Sequence, residues 1–465
     1  MPLNETRTLV EYCHALGHNP LPHEVSAYAK LLLLDYMGVA AAGAAMEESS
    51  RIGCEVVRAM GGAPEATAFG MREKFPAANA AFANGITEHS IEMDDTHSAA
   101  SSHPGVVIWS AALAVAERES ILGDALLPAA AAGYEMACRA GYAGAPPSMY
   151  ERGFHPTSAS GVFGAVVTAA CLLQLTPQQM LNAVGIAGSF ASGNMEYLAQ
   201  GTMTKRVQPG QAAHAGIIAA LLAQRGYTGP STILEGGFGF LHAYSDDSVV
   251  ARLTDNLGAT WELAQTGIKA FGCCRYMQSP MEAAMRAARG QTWNLEDIRA
   301  IRVGLVSAGW GLVAEPIEDK YVPETRVDGQ FSLPFGVATV LVNGRGTVNE
   351  FRESQLKNSS ILALARRVTI HHDDALDRAY PALWPSWCEI DLVDGRMLRG
   401  EVNTTKGEPE NPITPDEVRE KFESLASSYW SGQQMRAVAD TVEHIEQTPV
   451  QTLMAFASHG AARAT

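Results

Sequence analysis

Basic charge is what this chain lacks most: 34 Lys and Arg stand against 50 Asp and Glu, a formal net charge of -16. Such a deficit leaves no basic face for a nucleic-acid backbone or an anionic membrane, so neither is expected as a partner. A small anionic substrate is still allowed, because a pocket can carry local charge opposite to the whole. Cysteine is sparse as well. Its seven copies (Cys13, Cys54, Cys138, Cys171, Cys273, Cys274, Cys388) are odd in number and scattered, without zinc-type spacing. The adjacent Cys273 and Cys274 cannot bridge without strain. A reduced, cytoplasmic protein is the expectation. The start, MPLNETRTLV, lacks the basic-then-apolar order of a secretion signal. The apolar run from Lys30 to Met46 is interrupted by Asp35 and reads as a core helix rather than a membrane span. Glycine-rich phosphate cradles are missing: EGGFGF at 235–240 lacks GxGxxG spacing and GTMTKR is no P-loop, so no nucleotide cofactor is expected.

What is present up to about residue 265 is alanine and glycine on a helical period. VSAYAKLLLLDYMGVAAAGA, VVIWSAALAVAERES, LLPAAAAGYEMACRAG, SGVFGAVVTAACLLQL, PQQMLNAVGIAGSF and GQAAHAGIIAALLAQRG all read as buried helices whose small residues permit close approach. After Trp261 the character changes. IRAIRVGLVS and ARRVTIHHDD are β-branched, and SWCEIDLVDGRMLRGEV reads as a hairpin turning at Asp394-Gly395, the type I′ pair. FSLPFGVATVLVNG adds a helix between them, and PDEVREKFESLASS and SGQQMRAVADTVEHIEQ close the chain as helices. The expected fold is mainly α: a large all-helical domain over 1–267 with 409–465, and a smaller α+β lid domain over 268–408.

Several predicted helix starts share one pattern. His103 precedes Pro104-Gly105, His155 precedes Pro156-Thr157, Lys205-Arg206 stand before Pro209-Gly210, and Lys269 and Arg275 stand before Ser279-Pro280. Proline is tolerated in the first helical turn, and the residue before it is held extended. Free N–H groups and a partial positive charge at a helix start, joined by His, Lys or Arg, make an anion site. If the four ends converge, an acidic protein gains a cationic pocket suited to a small polycarboxylate. Any one of them alone is better explained by architecture than by function.

The segment EHSIEMDDTHSAASSHPG, Glu88 to Gly105, is densely titratable. Asp and His are metal ligands, but no DDxxD, HExxH or CxxC spacing is present, and no metal is expected. One aspartate of the Asp94-Asp95 pair is expected to cap a helix or fix a turn. The functional alternative is acid/base work: a carboxylate orients an imidazole, the imidazole moves a proton, and Lys, Arg or a helix start stabilises the developing enolate. Cys273 or Cys274 beside Lys269 and Arg275 offers nucleophilic chemistry, with inert burial as the commoner state.

AAFANGITEHSIEMDDTH with HPG, GFHPTSASGVFGA, GTMTKRVQPGQAAHAGIIAALLAQRGYTGP, IKAFGCCRYMQSPMEAA, GQFSLPFGVA and GEPENPITPDEV run in order over most of the chain. In these segments the chain resembles the MmgE/PrpD family. The resemblance implies a helical domain built from both chain ends, an α+β domain, a pocket between them, and a cofactor-free homodimer. It implies a lyase of dehydratase or decarboxylase type, or an epimerase or other isomerase, moving protons at carbon in small di- or tricarboxylates. Carried over by position, Glu92, Asp94, Asp95, Thr96, His103, His155, Lys205 and Lys269 form the pocket. His103 or His155 would move the proton, Asp95 or Glu92 would hold the imidazole, and Lys269 would stabilise the enolate. Lys205, Arg206 and Arg275 would clamp carboxylates, with Asp94, Thr96, Gln278 and Cys274 as further substrate contacts. Three positions depart from the family pattern: Glu92 for Asp, Gln278 for His, and Phe335 for Tyr. A non-catalytic carboxylate-binding protein and a metal-dependent helical enzyme are the other classes.

Overall fold

Alanine and glycine on every face leave a helix no polar side to turn outward, so such helices bury each other. The computed structural model, which describes residues 4–458, shows this in Ala77–His89, Pro104–Arg118, Gly123–Ala143, Pro156–Leu172 and Thr204–Gln224, all largely buried. Approach is close where Ala77–His89 crosses Thr204–Gln224: a Cβ added to Gly85 would stand 2.6 Å from the Cα of Gly210. His23–Met46 is the one helix among the described residues long and apolar enough to cross a membrane, and 78% of its most apolar window is buried in this core. Its Asp35 is buried too, paired at 2.7 Å with Lys421 of the helix Pro415–Ala426. Phe422 of that late helix packs against Gly38, so the C-terminal helices return to the first core.

A second apolar cluster runs from Phe271 to Val402 and takes in Tyr197 from outside that range. Its frame is a four-stranded sheet in the order Val368–His372, Ile298–Leu305, Ser386–Leu392, Met397–Val402. The first pair is parallel and the other two are antiparallel. Burial alternates strictly along Ser386–Leu392 and Met397–Val402 because one face packs on the helix Arg275–Ala288. The hairpin turn differs from the expected type I′. Only Gly395 has positive φ (90°), and the Leu392 carbonyl accepts from the Gly395 N–H while the Leu392 N–H donates to the Arg396 carbonyl. This is a three-residue loop with a glycine bulge, the alternative when the first turn residue keeps negative φ.

The proline pattern divides in two. Pro104 and Pro156 open their helices, with His103 and His155 as the N-caps. Pro209 and Pro280 instead sit at the sixth residue of helices that begin at Thr204 and Arg275. Each loses only the bond to the second residue's carbonyl, so the helix survives. Lys205, Arg206 and Arg275 therefore lie within the first turn rather than ahead of it.

Candidate active site

Four chain segments bring the titratable groups together. The helix Ala77–His89 ends in a turn carrying Glu92 and Asp94, and Thr96–His97 then pairs antiparallel with Thr266–Gly267. That two-residue ribbon sets Lys269, just past the pairing, beside Glu92. His103, His155 and Lys205 arrive at three helix starts. Gln330 pins the turn from the second core, its side-chain amide donating to the carbonyls of Ile91 and Gly272 at 3.1 Å each. Glu92, Thr96, His103, His155, Lys205, Cys274 and Arg275 line one narrow cavity of about 40 Å3, with Asp94 and Lys269 behind Glu92 and His103.

Glu92 is the hub. Its backbone is left-handed (φ 58°), a conformation that costs a residue with a side chain about 1–3 kcal/mol unless its surroundings hold it. They do: Lys205 donates to one carboxylate oxygen, and Lys269 Nζ lies 3.1 Å from the Glu92 carbonyl and 3.5 Å from the other oxygen. Lys269 also stands 3.7 Å from Asp94 Oδ1. Burial works against the charge on Glu92, yet the two ammonium groups hold its carboxyl below the ordinary range. Asp94 is likewise held well below its ordinary value, against burial, by the N–H groups of His103 and His89 and by Lys269. Lys269, opposed by burial, is pushed up by Asp94 and Glu92.

The imidazoles are fixed through Nδ1. His103 Nδ1 donates to the Asp95 backbone carbonyl at 2.9 Å and lies 3.3 Å from Asp94 Oδ2. His155 Nδ1 donates to Gln208 Oε1 at 2.7 Å, and the Gln208 amide is itself oriented by donating to the Asn194 carbonyl at 2.8 Å. A carbonyl acceptor requires the proton on Nδ1, so in both rings the lone pair is on Nε2. Both rings are neutral: burial lowers each, with Lys269 and Lys205 adding to it at His103 and Lys205 and His89 at His155, which falls to about 3. Two neutral bases, a carboxylate and one ammonium group thus line one buried space, with the second ammonium behind the carboxylate.

Three expected site residues lie elsewhere. Arg206 is one position along the helix from Lys205, and a residue step turns a helix by about 100°; its guanidinium meets Glu47 at 3.1 Å instead. Gln278 spends its amide on the backbone of Phe271 and Cys273 (2.9–3.3 Å), stapling the loop before its own helix. Asp95 holds no imidazole with its carboxylate; Oδ1 accepts from the Gly105 N–H at 2.9 Å and Oδ2 from the Tyr134 hydroxyl at 2.6 Å. Adjacent residues face apart, so Asp95 ties down the start of the His103 helix while Asp94 meets the rings. Cys274 lines the cavity with its thiol pushed up by burial, which keeps it protonated. Phe335 is buried in the second core.

Burial pushes the Asp95 carboxyl up to about 7. Its ionisation therefore destabilises the fold: the penalty is absent below the unfolded value near 4 and complete above about 7. Asp95→Asn keeps an acceptor for Gly105 and removes the titration. The variant's melting temperature is expected to rise relative to wild type between pH 4.5 and pH 8, and a constant offset between the two melts would contradict the raised carboxyl.

His89 belongs to the site and was not among the expected residues. It is fully buried, Nδ1 donates to Asp94 Oδ2 at 2.6 Å, and its ring lies 5.1 Å from that of His103 and 6.1 Å from that of His155. No motif spacing marks it, because the turn through Glu92 brings Asp94 back to it. Glu88, His89 and Asp94 are the one group among the described residues with three potential metal-ligand atoms within 4.8 Å. The Lys269 ammonium already supplies the compensating charge beside Asp94, and burial together with Asp94 and Asp95 pushes the Glu88 carboxyl well above its ordinary value. That pairing fits a proton and a lysine better than a divalent cation.

A helical body joined to an α+β unit over a cavity of imidazoles and lysines defines an enzyme of the lyase or isomerase kind. The chain belongs to the MmgE/PrpD family: the MmgE/PrpD N-terminal domain matches residues 7–252 and the C-terminal domain residues 271–447. It is similar to a cis-aconitate decarboxylase of Aspergillus terreus, 28% identical over 96% of this chain and 95% of that protein. The cis-aconitate decarboxylases of Mus musculus and Homo sapiens are 25% and 26% identical, each over 95% of this chain and over 90% and 92% of their own lengths.

Proposed function

We propose that this chain is a cytoplasmic, homodimeric lyase that decarboxylates cis-aconitate or a closely similar small tricarboxylate without a metal or organic cofactor. The observation that carries the reading is the pair of neutral imidazoles, His103 and His155, opening onto one cavity with Glu92, Lys205 and Arg275. Cis-aconitate carries a carboxylate on the methylene next to its C=C bond. Loss of that group as CO2 turns the C–C electron pair into a new C=C, and the old π pair moves to the far alkene carbon, which takes one proton. Charge passes through the carboxylate on that carbon as an enolate. Lys205 from the cavity wall and Lys269 from behind Glu92 stabilise it, as fixed positive charge in a buried site does. Bound carboxylates also offset the ammonium charge that adds to burial in keeping the imidazoles neutral, so an imidazole gains a proton on Nε2 as substrate binds and can deliver it to carbon.

Proton and carbon NMR of cis-aconitate in D2O tests this. CO2 release and a product with one deuterium at the new methylene are expected, unaffected by chelator. His103→Asn and His155→Asn should each lower the rate at least about a hundredfold. Deuterium exchange without CO2 would assign an isomerase, and binding without either would make the chain a carboxylate-binding protein.

A further inference from the structure

A larger cleft of about 460 Å3 opens beside the narrow cavity. The two spaces share His97, Ser98, Arg275 and Trp384 as wall residues, so Arg275 and Trp384 stand as the partition between them. The inner space cannot hold a tricarboxylate, since pockets for small ligands run to roughly 300 Å3 and above. The cavity has to widen for the proposed substrate to reach His103 and His155, and the partition is the wall it shares with the larger cleft.

The partition is held by a carboxylate of the chain itself. The Arg275 guanidinium lies 4.3 Å over the Trp384 ring, with Nε 2.8 Å from Glu408 Oε1. The contact is close enough for an ion pair, but none of the three guanidinium nitrogens has a hydrogen-bond partner, although all are buried. Glu408 Oε2 accepts from the Ser98 hydroxyl at 2.6 Å, and Glu408 also lines the outer cleft. Behind it, the two stretches that link the cores run side by side: the Ile268 N–H donates to the Gly407 carbonyl at 2.9 Å. A Cβ on Gly407, which has φ 101°, would stand 2.0 Å from the Ile268 carbonyl oxygen, and one on Gly267 would stand 2.8 Å from the Gly407 oxygen. No side chain fits between these stretches, and Glu408 follows directly on them.

We infer that Glu408 occupies Arg275 as a stand-in for a substrate carboxylate, and that substrate arriving through the outer cleft exchanges its own carboxylate for Glu408 on the guanidinium. The inference rests on reading Arg275 as a substrate clamp. Its physical basis is that a buried guanidinium is costly to leave unpaired, so only another carboxylate can replace Glu408 without penalty. The unpartnered Nη1 and Nη2 give an incoming carboxylate a better-aligned, two-point grip than Glu408 has. A neutral ligand of the same shape would strip Arg275 of its counter-charge, which makes the exchange a selectivity device.

The test is calorimetric titration with tricarballylate, a saturated tricarboxylate with no C=C through which to lose CO2. Glu408→Gln should bind it roughly tenfold more tightly than wild type, the scale of one charge-assisted hydrogen bond released to the ligand. Arg275→Gln should abolish the difference. Glu410→Gln, which removes the same charge from the outer cleft without touching Arg275, should change binding by less than about twofold, as expected for a screened charge. Ser98→Ala loosens Glu408 alone and should act in the same direction but more weakly; it decides the matter if Glu408→Gln does not fold. Unchanged or weaker binding in a folded Glu408→Gln variant, or an equal gain in Glu410→Gln, would overturn the inference. Tighter tricarballylate binding with no CO2 release from cis-aconitate would refute the decarboxylase and leave the exchange standing.

Discussion

Lys269→Met is expected to lower turnover by about 10^2 to 10^3-fold, on the scale of removing one preorganised charge from a transition-state site. It should also destabilise the fold by about 3–5 kcal/mol, the range for breaking a buried ion pair from one side. The two effects have separate origins. Lys269 is almost fully buried and serves two carboxylates, Glu92 and Asp94, so its removal leaves buried negative charge with Lys205 and the neutral rings as its company. Those carboxyls then titrate upward. Stability should be lost as pH rises, and the gap to wild type in urea melts should narrow between pH 8 and pH 5. Adding Glu92→Gln to Lys269→Met removes one uncompensated charge and should recover part of the stability. Activity should stay low, because no fixed cation faces the enolate from that side. If the double variant regained activity together with stability, Lys269 would be structural only.

The fold was largely legible because its elements are long and uniform. Alanine-rich helices and alternating strands announce themselves by period, and the change of character after Trp261 falls close to where the apolar core changes from the first cluster to the second. The site was legible at the level of segments and less so at single residues. His103 and His155 could be placed because proline at N1 fixes the residue before it. Proline at the sixth helical position looks the same in sequence, so Lys205 and Arg275 were expected one turn too early. Neighbours were harder still. Asp94 and Asp95, or Lys205 and Arg206, differ by one step of the chain, and only packing decides which faces the cavity and which serves Gly105 or Glu47. His89 and Glu408 gave no signal, since each acquires its role from a residue brought to it by a turn or by the second core.

Gly85→Ala should do nearly as much harm to activity from outside the cavity. The added Cβ would lie 2.6 Å from Gly210 Cα and 2.8 Å from its nitrogen, and a Cβ on Gly210 would meet the Phe82 carbonyl at 2.4 Å. Both neighbours are backbone, so no rotamer change can relieve the clash. The helices must separate by about 1 Å to restore carbon–carbon contacts of 3.5–4.0 Å. Overpacking of that kind costs about 1–3 kcal/mol. The helices concerned are the ones that carry the site. Ala77–His89 leads into the Glu92 turn, while Thr204–Gln224 holds Lys205 against Glu92 and Gln208 against His155. A displacement of 1 Å between a proton-transfer ring and its orienting group is worth roughly a hundredfold in rate. Turnover should therefore fall by about that factor even in protein that remains folded at assay temperature, with the loss in kcat exceeding any change in KM. Gly237→Ala, where the added Cβ meets nothing within 4 Å, should stay within about 0.5 kcal/mol of wild type and keep its rate. A Gly85→Ala enzyme with normal kcat but a lowered melting temperature would mean that the two helices can part without moving Lys205 and Gln208, and the cavity would then owe its geometry to the turn through Glu92 alone.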